Sequence, residues 1–138
     1  MRYLVWSLIA LGSYSFVSPL VSYATEEVPS QVAVTITNSI LVLMALGVIL
    51  YTRTPAMRYL THPRAPYLYL AGLFLGVGII SFYRALSLGP VSGVVPIYGM
   101  FIVTSSFIGF LFLNESLTLQ KGVGIGFGII AIYLLSTG

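Results

Sequence analysis

Five continuously apolar runs occupy almost the whole chain, at about residues 3–24, 32–51, 66–86, 91–113 and 119–137. Each holds about 19–23 residues, and a helix of that length, rising 1.5 Å per residue, crosses a hydrocarbon core of roughly 30 Å. Nearly all of the six Lys and Arg and three Asp and Glu residues fall in the gaps, and the mean hydropathy is +1.02. A soluble domain of this size needs far more polar surface, whereas lipid solvates the outer face of a membrane protein. The runs do not alternate, and a β-barrel would need more and shorter segments. The expected fold is therefore all-α: one integral membrane domain spanning 1–138, multi-pass in the plasma membrane, with five transmembrane helices.

Several function classes fall away on composition. Cysteine is absent, so no disulfide or thiolate chemistry is available. The lone His62 sits beside Pro63 with no carboxylate cluster, and no metal site is expected. There is no Ser-His-Asp set, no paired buried carboxylates and no phosphate-binding glycine loop followed by lysine. The chain is read as a non-enzyme with no cofactor. Its formal charge of +3 comes from scattered loop residues, which orient a membrane protein and do not form a nucleic-acid patch.

Arg2 precedes the first run, Arg53, Arg58 and Arg64 occupy the second loop, and Lys121 opens the fifth. With five crossings all of these lie on one side, while Arg84 and the acidic pair Glu26 and Glu27 lie on the other. The positive-inside rule then places the N-terminus inside and the C-terminus outside. The first run has a second reading, a secretory signal cleaved after Ser22-Tyr23-Ala24. Its length and its Tyr14, Ser15, Ser18 and Pro19 favour a retained helix packed in a bundle.

Ser30, after Pro29, is the expected N-cap of the second helix. Residues 52–65, with Pro55 and Pro63 and three arginines, are expected to hold a short amphipathic turn whose arginines face lipid phosphates. Ser87–Gly93 reads as a tight hairpin on Gly89-Pro90, and Asn114–Thr118 as an equally tight internal turn. In that turn the Glu115 carboxylate is expected to accept hydrogen bonds from the start of the fifth helix and to complement its positive end.

Gly72 and Gly76 in the third run, and Gly122, Gly124, Gly126 and Gly128 in the fifth, have the four-residue spacing through which membrane helices approach closely. Packing within the bundle is the first expectation. Oligomerisation through the fifth helix, with Gly124 and Gly128 at the contact, is the second. Polar residues inside the runs are the candidate substrate path: Tyr14, Asn38, Ser81, Tyr83, Arg84, Tyr98, Thr104, Ser105 and Ser106. Asn38 is expected to seek a partner across helices, since an unpaired amide in lipid is costly. The serine and threonine hydroxyls have an alternative partner in their own helix. Arg84 either anchors at the interface or contacts an anionic substrate. Pro96 frees backbone groups in the fourth helix that a cavity can use.

The order of motifs carries a resemblance. Ser81-Phe82-Tyr83-Arg84-Ala85-Leu86-Ser87-Leu88-Gly89-Pro90-Val91-Ser92 leads through Val95-Pro96-Ile97 to Phe112-Leu113-Asn114-Glu115-Ser116-Leu117-Thr118 and a glycine-rich last helix from Gly122. This resembles the EamA-like family of the drug/metabolite transporter superfamily, specifically over Tyr67–Gly138 and by segment count over 1–66. The resemblance implies a five-helix unit, of which full-length members carry two in tandem with inverted topology around a substrate path. Short relatives often carry an Asp-Lys pair where this chain has Tyr98-Gly99. Others carry a basic residue where the first two runs here have only Pro19 and Asn38.

The expected function is transport of a small metabolite or lipid-linked solute by an oligomer in the lipid bilayer, either a homo-oligomer or a complex with a partner subunit. A non-transporting structural or regulatory subunit of another transporter and a passive channel are the alternatives.

Overall fold

The computed structural model describes residues 2–112 and 118–137. Residues 114–117 of the expected internal turn, Glu115 among them, lie outside them. Among the described residues every regular element is a helix. A backbone in lipid has no water to satisfy its N–H and C=O groups, and a helix pairs them within one segment. Four helices are long and apolar enough to cross a membrane: Tyr3–Ala24, Ser30–Thr52, Ala65–Leu86 and Val91–Phe112. The last apolar stretch, Leu119–Leu135, is shorter.

Two compact units divide the chain, Met1–Leu88 and Gly89–Gly138. The first holds α1 (Arg2–Ala24), α2 (Ser30–Thr52), the short α3 (Ala56–Tyr59) and α4 (Ala65–Leu86). Here α4 packs against both α2 and α1. Most of its buried side chains gather where α1 and α4 finish and α2 begins (Val21, Ser30, Ala33, Phe82, Tyr83 and Leu86), while Ala65 is buried at the start of α4. Away from that end the large apolar residues, such as Leu43 and Leu73, are exposed. That pattern suits helices whose outer faces meet lipid.

The helix ends follow local chemistry. At the close of α1, Thr25 Oγ1 donates to Val21 O at 2.9 Å, covering a carbonyl of the last turn. Ser30 is not the cap of α2: Pro29 takes that position (φ −54°, ψ 136°), and no side chain caps the helix. A proline ring pre-sets φ for helix entry, so Ser30 becomes the first helical residue and is buried instead. At the other end Arg53 adopts a left-handed conformation, φ 51°. Its N–H reaches Leu50 O at 3.2 Å and that of Thr54 reaches Ile49 O at 3.1 Å. This is the Schellman pattern, which closes the last carbonyls at the cost of holding a non-glycine residue at positive φ.

The second unit holds α5 (Val91–Gly99), α6 (Phe101–Phe112) and α7 (Leu119–Thr137). Within the fourth apolar span, Val91–Phe112, the helix is interrupted locally at Met100, which separates α5 from α6. Pro96 has no N–H to donate to Ser92 O, and Gly99 beside the break has low helix propensity. Tighter bonds bracket the interruption, with Met100 N to Ile97 O at 3.2 Å and Val103 N to Met100 O at 3.0 Å. Helix α7 packs mainly on α5 and less on α6. No apolar side chain among the described residues of this unit is fully buried.

A side-chain hydrogen bond ties two helices of the first unit, joining Thr37 Oγ1 on α2 to Tyr83 Oη on α4, 2.9 Å apart. Intramembrane bonds of this kind are worth about 0.6 kcal/mol on average and at most roughly 1.7 kcal/mol. A double-mutant cycle of Thr37→Val and Tyr83→Phe, read by unfolding in mixed micelles, is expected to give a coupling energy in that range. Additive losses would mean that the hydroxyls are not paired in the membrane.

Candidate functional site

Two regions collect the polar and small residues. In the first unit the seam between α2 and α4 is set by a stripe of small side chains on α2. Ser30, Ala33 and Thr37 recur at spacings of three and four, which places them on one helix face. Ser30 and Ala33 are buried, and Tyr83, 3% exposed, reaches Thr37 across the seam. Thr37 Oγ1 also lies 3.0 Å from Ala33 O. A threonine hydroxyl has one proton, so the consistent chain runs from Tyr83 O–H to Thr37 Oγ1, and from Thr37 O–H to Ala33 O. Thr37 was not among the sequence candidates; the small-residue stripe was the signal that could have found it.

Asn38 adjoins this pair but does not bond across the seam. Its Nδ2 donates to Val34 O of its own helix at 2.9 Å. The expected cross-helix partner is replaced by the carbonyl one turn back, because Thr37 already meets Tyr83. Asn38 instead borders an open cavity of about 500 Å³ along α2, with Thr35 and Ser39. Ser81 Oγ likewise donates to Val77 O at 2.7 Å and is exposed. Arg84 is exposed in the last turn of α4, where a cation complements the negative helix end. Tyr14, 71% exposed, joins none of these groups.

In the second unit the candidates surround the break. The Tyr98 and Phe101 rings face one another across Met100, centroids 5.1 Å apart. Thr104 Oγ1 donates to Phe101 O at 3.2 Å, Ser105 Oγ to the same carbonyl, and Ser106 Oγ to Ile102 O at 2.7 Å. These hydroxyl protons are spent within the helix, which leaves oxygen lone pairs as acceptors. Pro96 borders a cavity of about 700 Å³ with Ser92, Leu134 and Leu135.

The groove between α6 and α7 has a volume of about 610 Å³. Ile102, Val103 and Phe110 form one wall, Gly124, Gly128 and Ile132 the other, and Ser106 and Lys121 supply the polar groups. A Cβ added at Gly124 or Gly128 would meet nothing within 4 Å, and the same holds at Gly72, Gly76, Gly122 and Gly126. No other element therefore comes within 4 Å of an added Cβ at these glycines. In α7 the missing side chains widen the groove. Among the described residues no three His, Asp or Glu side chains come together in a metal-binding group.

Since Asn38 bonds its own helix, Asn38→Leu is expected to cost about 1 kcal/mol or less in thermal unfolding. A loss well above that would place a second helix on the amide.

The comparisons with known proteins bear on what such a groove serves. The EamA-like transporter family matches residues 1–137. The chain is also 26% identical over 124 residues to a Sinorhizobium sp. protein named an uncharacterized transporter in the cobO 3′ region, covering 88% of this chain and 87% of that one. No solved structure matches it. With four helices apolar enough to span a bilayer, this is a multi-pass membrane protein, and it belongs to the EamA-like transporter family.

Proposed function

We propose that the protein transports a small metabolite or lipid-linked solute across the plasma membrane as an oligomer. The observation that carries this reading is the groove between α6 and α7, which lies beside the interrupted fourth span. It is apolar along its length, with the Ser106 hydroxyl and the Lys121 ammonium as its polar groups. That chemistry suits an amphiphile with an apolar body and a polar or anionic end. The break at Met100 and the proline at 96 supply a hinge, because a discontinuous helix bends without losing a full ladder of bonds.

Helix α7 is the fifth crossing. Its 19 residues extend about 28 Å, close to a hydrocarbon core of roughly 30 Å. The N-terminus then lies inside and the C-terminus outside, as the basic loops require. The chain contains no cysteine, so single cysteines can be placed at Thr25, Arg58, Ser92 and Gly138. An impermeant thiol reagent on intact cells is expected to label all but the one at Arg58. Labelling at Arg58, or protection at Gly138, reverses the topology.

Residues two apart are 200° apart around a helix, so Gly124 and Gly128 face one way and Gly122 and Gly126 nearly the opposite way. The first pair lines the groove, which moves the subunit contact from Gly124 and Gly128 to Gly122 and Gly126. Nothing in the unit approaches that second face within 4 Å of a Cβ. Its small residues permit close approach of another helix. The bias of basic loops opposes insertion in both orientations, so the oligomer is parallel or formed with a partner subunit.

Saturable flux with counterflow in proteoliposomes, across a panel of amphiphilic anions and neutral metabolites, is the expected result. Leucine at Gly124 or Gly128 fills part of the groove without a clash and is expected to lower flux with the oligomer intact. Leucine at Gly122 or Gly126 should separate the subunits, while Leu46→Ile should change neither. Linear, non-saturating flux would identify a passive pore. No flux, with a reproducible co-purifying membrane protein, would identify a non-transporting subunit.

A further inference from the structure

We propose that the loop between α2 and α4 contains a binding site for the phosphate of an anionic phospholipid headgroup. This site is separate from the groove and does not depend on what the protein transports.

The loop is tied together rather than slack. Ala56 N donates to Thr54 O at 2.8 Å, His62 N to Tyr59 O at 3.2 Å, and Ala65 N to His62 O at 2.8 Å. The Tyr69 hydroxyl donates to Leu60 O, pinning the loop to the first turns of α4. Arg64 N donates to His62 Nδ1 at 3.2 Å, which fixes the imidazole. This order shapes an open surface depression of about 580 Å³ lined by Tyr59, His62, Arg64, Ala65, Tyr67 and Leu68, of which only Ala65 is buried.

The polar groups of that lining are suited to donate. With Nδ1 accepting, a neutral His62 carries its proton on Nε2; Arg64 has five N–H donors, and the two tyrosines have hydroxyls. Arg53 and Arg58 add positive charge nearby, and the loop contains no carboxylate. Glu26 and Glu27 precede the far end of α2, a helix of 23 residues and so about 34 Å long. Donors on one depression in a loop that holds no carboxylate favour an anion, and a guanidinium among them favours phosphate.

Depth selects the source of that phosphate. Tyr51, Tyr59, Tyr67 and Tyr69 all lie at this end of the unit, and tyrosines concentrate at the level of lipid headgroups. Beside the depression, Met57 is 79% exposed and Leu68 70% exposed. Apolar side chains next to a cationic pocket are solvated by acyl chains while the pocket meets the headgroups above them. A soluble phosphate would gain nothing from this arrangement; a lipid uses both parts.

The test uses the full chain in nanodiscs of mixed phosphatidylglycerol and phosphatidylcholine, released and read by native mass spectrometry. Wild type is expected to retain phosphatidylglycerol in excess. Arg64→Gln should lower that excess roughly tenfold, the loss of a charge-assisted hydrogen bond to the phosphate, while Arg58→Gln, outside the depression, should lower it less, by about fivefold, as removal of any interfacial cation does. His62→Gln serves as the second variant if Arg64→Gln proves unstable, and should also lower it. Equal losses from Arg64→Gln and Arg58→Gln would reduce the effect to general loop charge and overturn the site. Competition of retained lipid by millimolar inorganic phosphate would overturn the lipid assignment in favour of a soluble anion.

Discussion

Every local feature of this protein answers to one constraint: in hydrocarbon, a backbone N–H or C=O without a partner costs several kcal/mol. The helices satisfy it over most of the chain, and the helix ends satisfy it where they stop. Thr25 covers carbonyls at the end of α1, and Arg53 takes a left-handed turn to close α2. Even the polar side chains conform. Asn38, Ser81, Thr104, Ser105 and Ser106 all donate to carbonyls of their own helices. A donor that has bonded backward is no longer available to organise tertiary structure or to bind a solute by donation.

The exceptions are therefore informative. Thr37 and Tyr83 form a bond between helices because the small face of Ser30 and Ala33 lets α4 approach. The interruption at Met100 is the other exception. Pro96 removes one donor, Gly99 weakens the following turn, and the chain restarts as α6. A span assembled from two half-helices costs stability, and transporter folds use such spans where the backbone borders a cavity. Here it lies beside a groove that glycines keep open.

The glycines also show how one pattern serves two ends. Spacings of four permit close approach only if a second helix lies opposite; without one, the same residues leave a space. In α7 two such pairs face nearly opposite directions, and Gly124 and Gly128 border a groove of about 610 Å³. One helix thus presents small residues on two nearly opposite faces, one of them bordering the groove.

Much of this fold was legible in the chain itself. Apolar run lengths anticipated four membrane-length spans to within a few residues, because bilayer thickness sets them. Motif order over Tyr67–Gly138 sufficed to indicate the family, and charge position implied an orientation. Which residues meet was decided only by tertiary structure. Thr37 looked like any helical threonine until α4 was placed beside it, and Asn38 looked like the bridging residue until its neighbour had taken the partner. The glycine spacing could not distinguish packing from a groove, since a missing side chain specifies only that space exists. What fills that space depends on the neighbouring helix, and no local rule encodes its position.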